Sequence, residues 1–182
     1  MIYSKIKITG QEDLSVEVPE SWEDVTFDQF HFISKEEDVL KRISTLTNIP
    51  YEMFNKYPEL ADFYVWVENK LSWSNNWDET SSSSVNFIMG DKGVFNFPED
   101  IGVLSIGLYK DLQKEAQDNN DDVYSIYPLI CASYYQTITD GDYDYTKAMK
   151  LAKVFNKQPC TKVYQAAGFF LKRLNELRNG TY

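Results

Sequence analysis

Hydrophobic and polar residues alternate in two short stretches of the chain and fall at helical spacing almost everywhere else. The alternation over residues 2–9 and 14–18, on either side of Gly10, predicts a β-hairpin. Pro19 ends that ladder because it has no N–H to donate. Thr26 stands where a helix N-cap belongs, since its hydroxyl can accept from the N–H groups of a first turn. A short helix is therefore expected over residues 27–34. A second follows over 38–47, with Val39, Ile43 and Leu46 on one face. Pro50 opens a helical turn over 51–55. Pro58 fits the first position of a longer helix reaching 71, because that position loses no hydrogen bond to proline. Its apolar stripe is Leu60, Phe63 or Tyr64, Val67 and Leu71.

The periodicity breaks over residues 72–84, where four consecutive serines and two asparagines predict a linker or exposed loop. The alternation then returns over 85–97, with Gly90-Asp91-Lys92-Gly93 as the turn of a second hairpin. Pro98 stops it, and Ser105 caps a helix reaching about residue 116. A polar loop over 118–122 leads to a tyrosine-rich helix over 123–138, and another loop over 139–144 follows. Two helices, 145–156 and 159–178, close the sequence. The last carries a stripe of Val163, Ala166, Ala167, Phe170, Leu174 and Leu177. Lys172, Arg173 and Arg178 suit its negative C-terminal end, and Gly180 lies near a plausible C-cap.

The second block repeats the first. Residues 6–30 superpose on 85–109 at a constant offset of 79: Val16-Glu17-Val18-Pro19-Glu20 matches Phe95-Asn96-Phe97-Pro98-Glu99, and Val25-Thr26-Phe27 matches Leu104-Ser105-Ile106. A second echo pairs Phe54-Asn55-Lys56-Tyr57-Pro58 with Phe155-Asn156-Lys157-Gln158-Pro159 at offset 101. The apolar stripe that follows repeats best at 103, so the last helix is not a simple copy. The expected fold is α+β and mostly α-helical: two pseudo-repeats, each a β-hairpin followed by three or four helices. The expected organisation is residues 1–71, a linker at 72–84, and residues 85–182, sharing one core.

Composition supports a folded chain. Hydrophobic residues make up 43% of its 182 residues and aromatics 15%, far from a disordered composition. No apolar run approaches the ~18 residues of a membrane span, and the start lacks the features of a signal peptide. The net charge of −10 is uneven: residues 1–80 hold 7 Lys+Arg against 16 Asp+Glu, and residues 81–182 hold 11 against 12. Such a chain repels phosphates and anionic membranes, so neither nucleic acid nor membrane is an expected partner. An acidic first half can be a solvated surface or a face for a basic protein.

Candidate chemistry is sparse. Cys131 and Cys160 lie in apolar helical contexts and read as buried thiols. With a single histidine, His31, flanked by Phe30 and Phe32, neither a histidine metal site nor a nucleophilic triad is expected. Asp140, Asp142 and Asp144 match the first ligand positions of a calcium loop, but Tyr145 stands where that loop needs glycine and Leu151 where it needs glutamate. The Asp118-Asn120-Asp122 stretch fails likewise. No phosphate-binding glycine motif occurs, and the sequon Asn179-Gly180-Thr181 is one by letter only. No enzyme activity, metal or cofactor is expected. Interaction candidates remain: Trp73 and Trp77 in the linker, and Tyr134 and Tyr135, whose adjacency points them to different sides of one helix.

Three stretches carry a family resemblance: residues 18–30, beginning Val18-Pro19-Glu20-Ser21-Trp22; Ser105-Ile106-Gly107-Leu108-Tyr109-Lys110-Asp111; and Ala166-Ala167-Gly168-Phe169-Phe170-Leu171. They resemble small acidic proteins from the structural gene modules of tailed bacteriophages of gut Bacteroidetes, including crAss-like phages. The resemblance implies a virion protein assembled in the host cytoplasm, a ring, head–tail connector or tail subunit. Its partners would be portal, tail or neighbouring ring subunits in a homo-oligomer. A tail assembly chaperone that does not stay in the virion is the alternative.

Overall fold

Val18 and Phe97 end the second strands of two hairpins, and each hairpin leads into a set of helices. The protein is seen in a computed structural model that describes residues 1–8, 12–77, 84–97, 106–119 and 122–178. It is a mostly helical α+β chain that divides into two compact units, Met1–Asp78 and Glu79–Tyr182. The expected features at Gly10, Pro98, Ser105, Asp121 and Gly180, with most of the serine run, lie outside the described residues. So do the side chains of Arg173, Leu174, Leu177 and Arg178.

In the first unit β1 (Ile2–Ile6) pairs antiparallel with β2 (Leu14–Val18). The alternation buries Ile6, Val16 and Val18 and leaves Tyr3, Lys5 and Glu17 in solvent. The first strand ends at Ile6, short of the expected reach, although Ile8 is buried. A single 3₁₀ turn, Trp22–Asp24, leads to α1 (Phe27–Ile33). Thr26 holds the N-cap, and its N–H donates to Gln29 Oε1 at 3.0 Å. Then come α2 (Val39–Thr47), α3 (Tyr51–Lys56) and α4 (Leu60–Lys70). Asp38 caps α2, its carboxylate accepting from the N–H groups of Leu40 and Lys41. Asn48 ends α2 in the left-handed region, φ 56°, which its short polar side chain tolerates. Pro58 does not open α4; it stands two residues ahead, its carbonyl accepting from Ala61 N–H at 3.0 Å. The stripe Leu60, Phe63, Val67 and Leu71 is buried as expected. Each such side chain, fully buried, stabilises by ~1.5–3 kcal/mol.

In the second unit β3 (Val85–Ile88) pairs antiparallel with β4 (Val94–Phe97). Gly90 and Gly93 turn the hairpin with φ of 61° and 81°, positive values that glycine adopts at no steric cost. Four helices follow: α5 (Ile106–Asp118), α6 (Tyr127–Asp140), α7 (Tyr145–Phe155) and α8 (Cys160–Arg178). The tyrosine-rich helix starts later than its periodicity predicts. Residues Val123–Ile126 form a 3₁₀ turn, and Pro128, without an N–H, sits in the first turn of α6 where it costs no hydrogen bond. Gly141, φ 80°, ends α6, and Asp144 caps α7 by accepting from Lys147 N–H at 3.0 Å.

The hairpins match in side-chain pattern but not in register. Val18 pairs with Ile2, whereas its counterpart Phe97 pairs with Val85. The second strands thus correspond at offset 79 and the first strands at 83. A slip of four is even, so the same face stays turned inward. The Phe-Asn-Lys-x-Pro echo closes α3 in one unit and α7 in the other, each just ahead of the longest helix of its unit. Pro159 abuts α8 directly, so Val163 is the fourth residue of α8 while its counterpart Leu60 is the first of α4.

Candidate interaction surfaces

Residues 72–77 are packed against the first unit. After α4 the chain takes a 3₁₀ turn, Ser72–Asn75, held by Ser74 N–H to the Leu71 carbonyl at 2.8 Å and Asn76 N–H to the Trp73 carbonyl at 3.0 Å. This turn brings Trp73 and Trp77 to Trp22. The Trp22 ring meets Trp73 at 5.1 Å, Trp77 at 4.9 Å and Phe30 at 5.5 Å between centroids, each edge to face. Phe30 also lies 4.6 Å from Trp77. Trp22 Nε1 donates to the Asn76 carbonyl at 3.0 Å, whereas Trp73 Nε1 is buried with no acceptor among the described residues. Phe30 is buried and the three tryptophans are half-buried, so an aromatic cluster runs from the core to the surface.

The chain around Trp22 is acidic and firmly held. Asp24 Oδ2 accepts from Glu20 N–H at 3.0 Å, and the Met1 ammonium lies 2.6 Å from Glu20 and 2.9 Å from Asp24. The Glu20 N–H, then the ammonium, hold the Asp24 carboxyl below its ordinary value; the Glu20 and Asp24 carboxylates hold the ammonium above its own. Glu20 and Glu23 are exposed on either side of Trp22 in the chain. The whole unit carries 7 Lys+Arg against 15 Asp+Glu.

Two clefts open on the same unit. One, of about 260 Å³, has Ile43, Leu46 and Leu71 for its floor, with Arg42 and Glu68 at its edge and Ser74 beside the tryptophan-bearing turn. The other, of about 270 Å³, lies along α1 beside His31, Phe32 and Lys35. His31 stacks on Phe27, 6.5 Å between ring centroids.

Tyr134 and Tyr135 are placed differently from expectation. Both are buried, at 5% and 6% exposure. Tyr134 stacks on Phe97 at 5.0 Å and meets Phe170 at 5.4 Å, while Tyr135 meets Phe95 at 4.8 Å and carries Lys92 Nζ 5.5 Å above its ring. Adjacent residues of α6 can both be buried because β4, α7 and α8 pack around that helix. All ten residues from 127 to 136 are buried, so opposite sides of the helix both face protein.

The exposed face of the second unit that stands out is on α7. Ala148, Ala152 and Phe155 are buried on one side of that helix. Lys147, Lys150 and Lys153 lie on the other, all exposed, with exposed Lys157 just beyond its end. At 1.5 Å per residue the three helical lysines span ~9 Å. Val154, 40% exposed, falls among them at helical spacing. Residues 145–182 hold eight Lys+Arg against Glu176 alone, while residues 79–144 hold three against twelve.

Polar chemistry elsewhere in this unit is structural. Tyr143 OH donates to Asp111 Oδ2 at 3.0 Å and Tyr145 OH to Glu115, tying the α6–α7 loop and the start of α7 to α5. Burial and then Asp111 raise the Tyr143 hydroxyl; the Glu115 carboxylate pushes that of Tyr145 up to about 12. Gln136 is buried, its Oε1 accepting from Asp144 N–H at 3.1 Å and its Nε2 without a partner among the described residues. Cys131 and Cys160 are buried, and burial raises the Cys131 thiol. Among the described residues no three His, Cys, Asp or Glu side chains group as a metal site, and no helix is long and apolar enough to cross a membrane.

Trp22, Phe30 and the α7 lysines are the residues that sequence reasoning passed over. The clue for Trp22 is a tryptophan in a run of acidic residues after a strand-ending proline. For the lysines it is a spacing of three, with no acidic residue between 145 and 175. No protein-family model matches this chain, and neither a curated protein nor a solved structure shows significant similarity to it.

Proposed function

We propose that this chain is a non-enzymatic structural protein of a tailed-bacteriophage particle, a ring, head–tail connector or tail subunit that works through contacts with neighbouring proteins. The observation that carries the contact role is the half-buried Trp22–Trp73–Trp77 cluster on the acidic first unit. Tryptophan is the side chain most enriched where interfaces concentrate their binding energy, because it covers a large area with few rotatable bonds. The assignment to a phage particle rests on the sequence resemblance of residues 18–30, 105–111 and 166–171. Its partners are portal, tail or neighbouring ring subunits. Light scattering with negative-stain imaging of the purified protein tests the reading. Closed oligomers are the expected result. A chain that stays monomeric or dimeric and binds a tail protein only transiently would instead be an assembly chaperone.

A further inference from the structure

The acidic tryptophan surface of the first unit and the lysine face of α7 are complementary in charge, and every copy of the chain carries both. We infer that they meet between copies: α7 of one copy docks on the Trp22–Trp73–Trp77 surface of the next, in a head-to-tail contact. The inference deepens the proposed function and rests on it.

Three features specify this occupant. The first is charge. Residues Met1–Asp78 carry fifteen acidic side chains against seven basic, and residues 145–182 carry eight basic against one acidic. Pairing either face with its own copy would set like charge against like, which disfavours a two-fold symmetric contact and favours a heterologous one.

The second feature is the match of chemistry. Tryptophan is the best aromatic acceptor for an ammonium group, and a lysine stem can lay its methylenes on an indole while its head reaches the exposed Glu23. The third is shape. Val154 stands exposed among Lys147, Lys150 and Lys153, an apolar knob within a basic ring. The tryptophan cluster is the reverse, an apolar patch with exposed Glu20 and Glu23 flanking Trp22 in the chain. Duplex DNA is a weaker match for the α7 lysines, because the acidic remainder of the same chain repels phosphate.

A head-to-tail contact closes as a ring or continues as a filament, depending on the rotation between neighbours. It also makes a specific demand on mixtures. A copy with a damaged α7 face keeps a good tryptophan face, and a copy with a damaged tryptophan face keeps a good α7.

The test pairs two variants. One carries Lys150→Glu and Lys153→Glu. The other carries Trp77→Ala, with Glu23→Lys as a second version that leaves the aromatic packing alone. Circular dichroism checks that each is folded, and sedimentation velocity reads assembly with and without added salt. Wild type should self-associate, and each variant alone should do so at least about tenfold more weakly. Mixing the two should give one-to-one dimers and nothing larger, weakened by salt.

Four results would overturn the contact: a wild-type chain that is monomeric at high micromolar concentration, variants that assemble as wild type does, a mixture that stays monomeric, or lysine changes that abolish binding to a short DNA duplex while leaving assembly intact. If the chain is nevertheless found in purified particles, only this contact falls and the proposed function stands.

Discussion

Trp22 and Trp77 meet edge to face at 4.9 Å, their planes 89° apart, although one follows the first hairpin and the other closes the first unit. The Trp22 indole N–H also bonds the Asn76 carbonyl, so this single side chain joins the two ends of the unit. Trp73 lies in the same cluster with its N–H buried and without an acceptor among the described residues. Replacing either by phenylalanine removes a similar apolar area, but among the described residues only Trp22→Phe breaks a hydrogen bond. Trp22→Phe is expected to cost ~1 kcal/mol more than Trp73→Phe in urea unfolding. Equal costs would mean that the bond to Asn76 contributes nothing.

The burial of Tyr134 and Tyr135 makes them supports of the second unit. Alanine at either should cost ~3–5 kcal/mol, the range for large aromatic side chains removed from a core. Tyr3, 75% exposed, serves as the control, and Tyr3→Ala should change stability by less than ~0.5 kcal/mol. Chemical denaturation of the three variants measures this. A near-neutral Tyr135→Ala would place that ring outside the packed interior.

The Tyr145–Glu115 bond predicts an alkaline instability of the second unit. A hydroxyl raised in the folded state stabilises that state fully below its unfolded value near 10. The contribution then fades as pH rises through about 12, where the folded hydroxyl itself ionises. Unfolding midpoints measured from pH 8 to 12 should therefore fall above pH 10. Tyr145→Phe should be less stable at pH 8 and should lose less on the way up. Parallel curves for wild type and variant would show that the hydroxyl does not report on folding.

Cys131 and Cys160, both fully buried, should be silent toward a water-soluble thiol reagent in the native protein. Both should react at once in denaturant. Between these limits the labelling rate measures opening of the second unit, because Cys131 lies on α6 and Cys160 begins α8. Rapid labelling under native conditions would contradict the packing described for those helices.

The parts of this fold that show in the sequence are those set by local chemistry. Alternation marks Val16, Val18, Phe95 and Phe97 as inward, glycines mark the turn at 90–93, and Asp38 and Asp144 fall where helices begin. What did not show depends on neighbours distant in the chain. The four-residue register slip between the hairpins is invisible to patterning, because an even slip leaves every side chain on its own face. Tyr134 and Tyr135 read as too divergent to bury together, since periodicity does not say that α6 is covered on opposite sides. The serine-rich segment hid the turn that carries Trp73 onto Trp22. Charge summed over residues 81–182 came out near neutral because the acidic stretch up to 144 cancelled the lysines beyond it.

That this chain is a component of the phage particle is the central proposal. Mass spectrometry of particles purified from an infected culture tests that claim most directly. Peptides of this chain should appear in the particles in proportion to the other structural proteins. Abundant chain in the infected cells with none in the purified particles would contradict it.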